Sequence, residues 1–229
     1  MTENINMKII ARLHNDFHSK FGIPRQSNVI PELQGRIVFE PEYRNEAALR
    51  GIDGFDYLWL IWQFSQSVRD KWHPTVRPPI LGGNIRMGVF ATRSPFRPNA
   101  IGLSSVRLEK VELHTPDGPV IHVSGADLMD GTPILDIKPY LAYADSHEGA
   151  AQGFRGAGWL RHLEIDFPQD LLDKIPTEKQ AGLLEVLKND PRPTYQDDPD
   201  RIYGMLFGNM EIKFQVRGGR LRVIDVSKA

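Results

Sequence analysis

Leu103-Ser104-Ser105-Val106-Arg107-Leu108-Glu109-Lys110-Val111-Glu112-Leu113, followed by Asp117-Gly118 and Val120-Ile121-His122-Val123, decides the fold class. Val106 and Leu108 stand two residues apart, as on one face of a strand. Val111 and Leu113 repeat the pattern in the opposite phase. A β-bulge near Glu109-Lys110 reconciles the two phases, and Asp117-Gly118 supplies the turn before the next strand. Working outward, residues 7–13, 36–39 and 86–91 read as further short strands, and 136–140 closes this part. Residues 55–64 are nearly all apolar or aromatic, as in a strand buried on both faces. One helix is expected over residues 41–50, with Pro41 and Glu42 early and Gly51 just past its end. Residues 14–33 form a long loop without periodicity, a kind of loop that often carries function. Short strands, frequent turns and few helices predict a β-sandwich or barrel.

The C-terminal part reads differently. Residues 145–158 are rich in Gly, Ala and polar side chains. Thr177 with Gln180 is a capping-box pattern before Leu183, Leu184 and Leu187. Met210, Ile212, Phe214 and Val216 alternate, with Gly208-Asn209 and Gly218-Gly219 as hairpin turns. The expected organisation is therefore a mainly β unit over 1–145 and a linker over 146–165. A small α+β unit over 166–229 follows, a helix plus a three-stranded antiparallel meander.

The 229 residues include 41% hydrophobic and 25% charged residues, too apolar for disorder. The lack of cysteine excludes disulfides, thiolate metal sites, iron–sulfur clusters and thiol nucleophiles. The apolar run 57–62 is far short of the ~20 residues of a membrane helix. No signal peptide is read at the start, and a cytoplasmic location is expected. Net charge is −1, unevenly spread: residues 69–108 hold seven basic residues and one acid, the rest 21 and 28. That segment is either an anion site or a set of dispersed surface arginines.

His14 and His18 have the spacing of a zinc helix, but Asn15 replaces the glutamate and no helix pattern surrounds them. No phosphate-binding glycine loop, dinucleotide fingerprint or serine elbow is present. Two dense segments remain: 88–102, with Arg93, Pro95, Arg97, Pro98 and Asn99, and 127–140, with Asp130-Gly131-Thr132-Pro133 and Asp136-Ile137-Lys138-Pro139-Tyr140. Prolines lower the entropy cost of holding a binding loop. A turn with paired Arg and Asp would read the same way.

These two segments, with Pro24-Arg25-Gln26, Arg77-Pro78-Pro79, Leu81-Gly82-Gly83-Asn84 and Asp190-Pro191-Arg192-Pro193-Thr194-Tyr195, strongly resemble the TsaA-like family. The likeness is close over 7–145 and looser over 165–229. It departs at Ala100 and Ser65, where relatives usually carry Pro and His. The resemblance implies a single-sheeted β-barrel that binds S-adenosylmethionine (SAM) without metal. It implies methylation of N6 of threonylcarbamoyladenosine beside the anticodon of a threonine-accepting tRNA, by a homodimer with the cofactor near the subunit interface.

The resemblance also implies roles. Pro24, Arg25, Gln26, Ser65 and Gln66 would line the cofactor pocket. Arg93 would contact the cofactor or close over it, and Leu103 would offer backbone bonds to adenine. Asp130, Gly131, Thr132 and Pro133 would shape the remainder. Arg77, Arg86 and Arg97 would meet RNA or the threonine carboxylate, and Asn99 the target nitrogen. Asp136 or Tyr140 could take the proton, or water could. Arg192 and Tyr195 would contact RNA, unless their loop is packed. Two rival readings stand beside this one: a non-catalytic β-barrel RNA-binding module, and a methyltransferase with another acceptor.

Overall fold

The computed structural model describes residues 5–155, 162–193 and 196–229. Six strands carry the first unit: β1 (Ala11–His14), β2 (Gln34–Phe39), β3 (Tyr57–Gln63), then, past the short β4 (Thr75–Val76) and β5 (Met87–Gly88), β6 (Ile101–Glu112), β7 (Val120–Ser124) and β8 (Thr132–Pro139). They form one closed antiparallel barrel in the order β1-β2-β7-β6-β3-β8, sealed by β1 against β8. Alternation puts Leu13, Ile37, Leu58, Leu60, Val106, Ile121 and Ile134 inside, all essentially buried. The register of β6 on β7 slips between Leu108 and Lys110, the bulge that the two phases require.

β6 changes neighbours along its length. Its pairing with β7 covers only Arg107–Glu112, whereas Ile101–Arg107 pair with β3. The start of β6 therefore has an open edge. The Leu108 amide bonds to the Asp56 carbonyl on the β3 side. Counting back in twos, the amide and carbonyl of Leu103 point to the open edge. Ser105 shows the same direction, its carbonyl accepting from the Asn28 side chain.

The second unit follows α1 (Ala142–Asp145). It contains β9 (Glu164–Asp166), α2 (Gln169–Leu172), α3 (Thr177–Lys188), β10 (Tyr203–Phe207), β11 (Met210–Arg217) and β12 (Arg220–Lys228). β10, β11 and β12 are the antiparallel meander, and β9 adds a fourth strand parallel to β12. The expected linker 146–165 thus ends inside a strand. The core of this unit is shared: Phe17, Ile30 and Leu33 of the 14–33 loop are buried among Met205, Phe207, Phe214 and Leu187. Asp16 fastens the loop twice, through its carbonyl to the Gly208 amide and its carboxylate to Lys179 at 2.5 Å. Gly22 has φ +94, and a side chain there would overlap Met205. The loop therefore belongs to both units.

Four further expectations are corrected. Residues 41–50 are not one helix but two 3-10 turns, Pro41–Tyr43 and Glu46–Leu49, because the Asn45 side chain caps Ala47 and restarts the chain. Residues 86–91 are mostly not a strand: past β5 the chain turns at Val89–Ala91. β3 is not buried on both faces. Leu58, Leu60 and Trp62 face inward, while Trp59 and Ile61 are half covered. The capping box does not form: Thr177 starts α3 without capping it, and Gln180 donates to the carbonyls of Leu172 and Ile175, closing the preceding turn.

Candidate functional site

A cavity of about 600 Å³ opens where the 14–33 loop, the turn after β3, the Arg/Pro loop and the open edge of β6 meet. Such a volume suits a small organic ligand. Its walls bring together Pro24, Arg25 and Gln26 from the loop, Ser65 and Gln66 after β3, Arg93 and Arg97, Leu103, and Thr132 at the start of β8. The Arg/Pro segment therefore meets the Asp-Gly-Thr-Pro segment through Thr132 alone, beside Asp127, Leu128 and Met129.

The cavity is held by specific bonds. Arg93 Nη1 donates to Gln26 Oε1, bridging the Arg/Pro loop to the 14–33 loop. Arg25 Nη2 donates to the Arg192 carbonyl at 3.3 Å, tying the same wall to the C-terminal unit. Arg97 donates to the carbonyls of Thr92 (2.7 Å) and Val89 (3.3 Å), so its guanidinium folds its own loop. The floor is aromatic. Trp62 lies 4.2 Å from Phe64, ring centre to ring centre. Any Cβ on Gly102 would overlap the Trp62 indole, so glycine is what lets the ring lie across β6. Trp62 Nε1 donates to Ser104 Oγ at 3.0 Å, and Ser104 Oγ donates to Asp127 Oδ1 at 2.6 Å. Burial pushes the Asp127 carboxyl above the usual aspartate range. The Ser104 hydroxyl, the residue's own amide, the Arg93 charge and the Ser27 amide oppose the rise in part.

Other expected site residues lie elsewhere. Asp130 turns toward the β1 end, where its carboxylate faces His14 Nδ1 (3.1 Å) and His18 Nδ1 (3.5 Å) and accepts from the Asn15 amide. Gly131 offers its carbonyl to Arg12, and Pro133 pairs with Arg12 in the barrel seam. Asn99, Asp136 and Tyr140 are not on the described cavity wall. Asp136 pairs with Lys138 at 2.9 Å, and Tyr140 packs 5.5 Å from Trp59, which does line the cavity. Arg77 and Arg86 flank the β4–β5 arm, with Arg86 donating to Thr75. Arg192 is corrected. Only 5% exposed, it is locked bidentate to Asp190 at 2.8 and 3.0 Å and offers no face to RNA. Tyr195 lies outside the described residues. The reading of residues alone missed Trp62, Phe64, Ser104 and Asp127. Asp127 heads the dense 127–140 segment, which was its one signal.

Family models match both units: one described as the tRNA-methyltransferase O N-terminal domain over residues 12–146, and one as the TrmO C-terminal domain over 161–229. A tRNA (adenine(37)-N6)-methyltransferase of Escherichia coli is 36% identical over 215 residues, covering 90% of this chain and 91% of that one. One from Eikenella corrodens is 42% identical, covering 72% and 93%. The crystal structure of TrmO from Pseudomonas aeruginosa superposes with a TM-score of 0.81 at 30% identity, over 100% of this chain and 99% of that one.

Proposed function

The chain belongs to the tRNA-methyltransferase O family, matched across both of its domains, and from that premise we infer its function. It is an S-adenosylmethionine-dependent enzyme that methylates N6 of adenosine 37 in tRNA. The observation that carries this reading is the single cavity joining Pro24-Arg25-Gln26, Ser65-Gln66, Arg93, Leu103 and Thr132. Its chemistry fits the methyl donor. The open edge of β6 presents the amide and carbonyl of Leu103 to an adenine edge. Trp62 and Phe64 give flat apolar surface, and Arg25, Gln26, Ser65, Gln66 and Thr132 supply polar groups for a ribose and an amino acid. Bound there, SAM supplies a methyl group already activated on a sulfonium.

The remaining work falls to the chain itself. The Arg93–Gln26 bridge ties the two loops that border the pocket, so it holds the walls at a fixed spacing. Fixed alignment of acceptor and donor is worth ~7–11 kcal/mol of a transfer barrier. The aromatic floor excludes water. The finer substrate is the threonylcarbamoyl form of adenosine in a threonine-accepting tRNA. The cations on the wall support that reading: Lys20, Arg25, Arg93 and Arg97 suit the threonine carboxylate and flanking phosphates. Arg77 and Arg86, on the exposed β4–β5 arm, extend the basic surface for RNA.

The enzyme works as a homodimer in the cytoplasm. Exposed Ile85 on the same arm, with exposed Trp72 and Phe90 paired at its base and Val68 just before it, supports a covered face. The test is transfer of labelled methyl from SAM to tRNA with and without the threonylcarbamoyl group. Label in modified threonine tRNA alone is expected. Label in neither, with SAM bound, would move the acceptor elsewhere; RNA binding without SAM binding would favour a non-catalytic module.

A further inference from the structure

Asp127 is the only carboxylate among the described residues lining the cavity, and no histidine or tyrosine is among them. The charged groups sharing that wall, Lys20, Arg25, Arg93 and Arg97, are all cations. Asp136 and Tyr140, the acceptors expected from sequence, do not reach the wall. Asp127 is also oriented. Ser104, 2% exposed, accepts from the Trp62 indole and so commits its own proton to Asp127 Oδ1. The Trp62–Ser104–Asp127 chain fixes the carboxylate through one oxygen.

The acceptor chemistry calls for such a group. A nitrogen shared between a purine and a carbamoyl carbonyl delocalises its lone pair both ways. It becomes an effective nucleophile only as its single proton leaves. We propose that Asp127 is the catalytic base that takes this N6 proton, an assignment that rests on the methyltransferase reading above. The N6–CH3 bond forms as the S–CH3 bond breaks, and that bond's electron pair stays on sulfur as a thioether. The N6 proton passes to the Asp127 carboxylate and from there to solvent. Burial raises the carboxyl toward the working pH, the direction that favours a base.

Asp127→Asn tests this, because the amide oxygen still accepts from Ser104. At saturating SAM, the single-turnover rate on threonylcarbamoyl tRNA is expected to fall about 100- to 10,000-fold. SAM affinity by calorimetry should hold, and the acid limb of the wild-type pH–rate profile should vanish. Ser104→Ala is a second probe. Without the hydroxyl steadying the anion, the acid limb and the carboxyl ¹³C titration of the free protein should both move to higher pH.

The proposal is overturned if Asp127→Asn keeps the wild-type rate and limb. It is overturned too if that variant loses SAM affinity but keeps its saturated rate, which would make Asp127 a cofactor ligand. A carboxyl titration that moves in Ser104→Ala while the acid limb stays put also overturns it. Failure of the function reading looks different: the wild type itself would transfer nothing to the tRNA, and the proposal would go with it.

Discussion

Arg93 and Asp127 show how single side chains carry the site. Arg93 is bound to Gln26 across the pocket mouth and to no core residue by any hydrogen bond described. Arg93→Ala should therefore leave thermal unfolding nearly unchanged. Methyl transfer should fall by about 100-fold or more, the scale at which lost alignment is felt. Turnover at the wild-type rate would remove Arg93 from the site. Asp127 predicts the reverse pattern in stability. Its carboxyl is raised in the folded protein, so the native state binds the proton more tightly than the unfolded chain. Asp127 thus favours the fold at acid pH, and that contribution is lost as pH rises through the elevated value. Asp127→Asn should gain stability relative to wild type as pH rises above the ordinary aspartate range, measured as midpoint temperature against pH. A shift of the opposite sign would refute the buried-anion account. Activity and stability then pull apart at this residue.

At the level of elements, the pocket depends on how β6 begins and how the Asp190–Arg192 turn ends. Gly102→Ala would drive a methyl group into Trp62. The expected cost is ~1–3 kcal/mol of stability, read by urea denaturation, together with loss of SAM binding. Asp190→Ala removes the bidentate partner of a buried guanidinium and leaves it, among the described carboxylates, only the exposed one of Asp197 3.6 Å away, a loss approaching the ~3–5 kcal/mol of a broken buried pair. The Arg192 carbonyl that holds Arg25 would shift as well, so SAM affinity should fall. The bulge of β6 was legible because Val106/Leu108 and Val111/Leu113 differ in phase, and the C-terminal hairpins because Gly-Asn and Gly-Gly pairs sit between alternating runs. The family likeness grouped Pro24, Arg25, Gln26, Ser65, Gln66, Arg93, Leu103 and Thr132, which line one cavity, together with Asp130, Gly131 and Pro133, which do not line it. Local pattern could not reveal the chain Trp62–Ser104–Asp127, whose members come from separate elements. Nor could it reveal that Asp130 turns to His14 and His18, or that β9 adds a parallel strand through a long crossover. The charge of Arg192 suggested a surface, but Asp190 two residues earlier neutralises it inside.

For the whole molecule, the two units do not separate where the sequence changes character. Phe17, Ile30 and Leu33 are buried in the C-terminal core, and Phe21, Ile23 and Val29 pack against it. The loop between these residues carries Pro24, Arg25 and Gln26 to the cavity. A chain cut back to residues 1–165 is thus expected to lose SAM binding along with any tRNA binding. Calorimetry against the full chain checks this, and equal SAM affinity in the two would show the barrel self-sufficient. The arrangement also ties competence to synthesis of the C-terminal unit. Residues 17–33 leave the ribosome before β10, β11 and β12, yet their greasy side chains find no cover until those strands emerge. A message cut short before β10 would yield a barrel without a usable donor cradle, and only polypeptide that carries β10 to β12 would spend the cell's methyl supply.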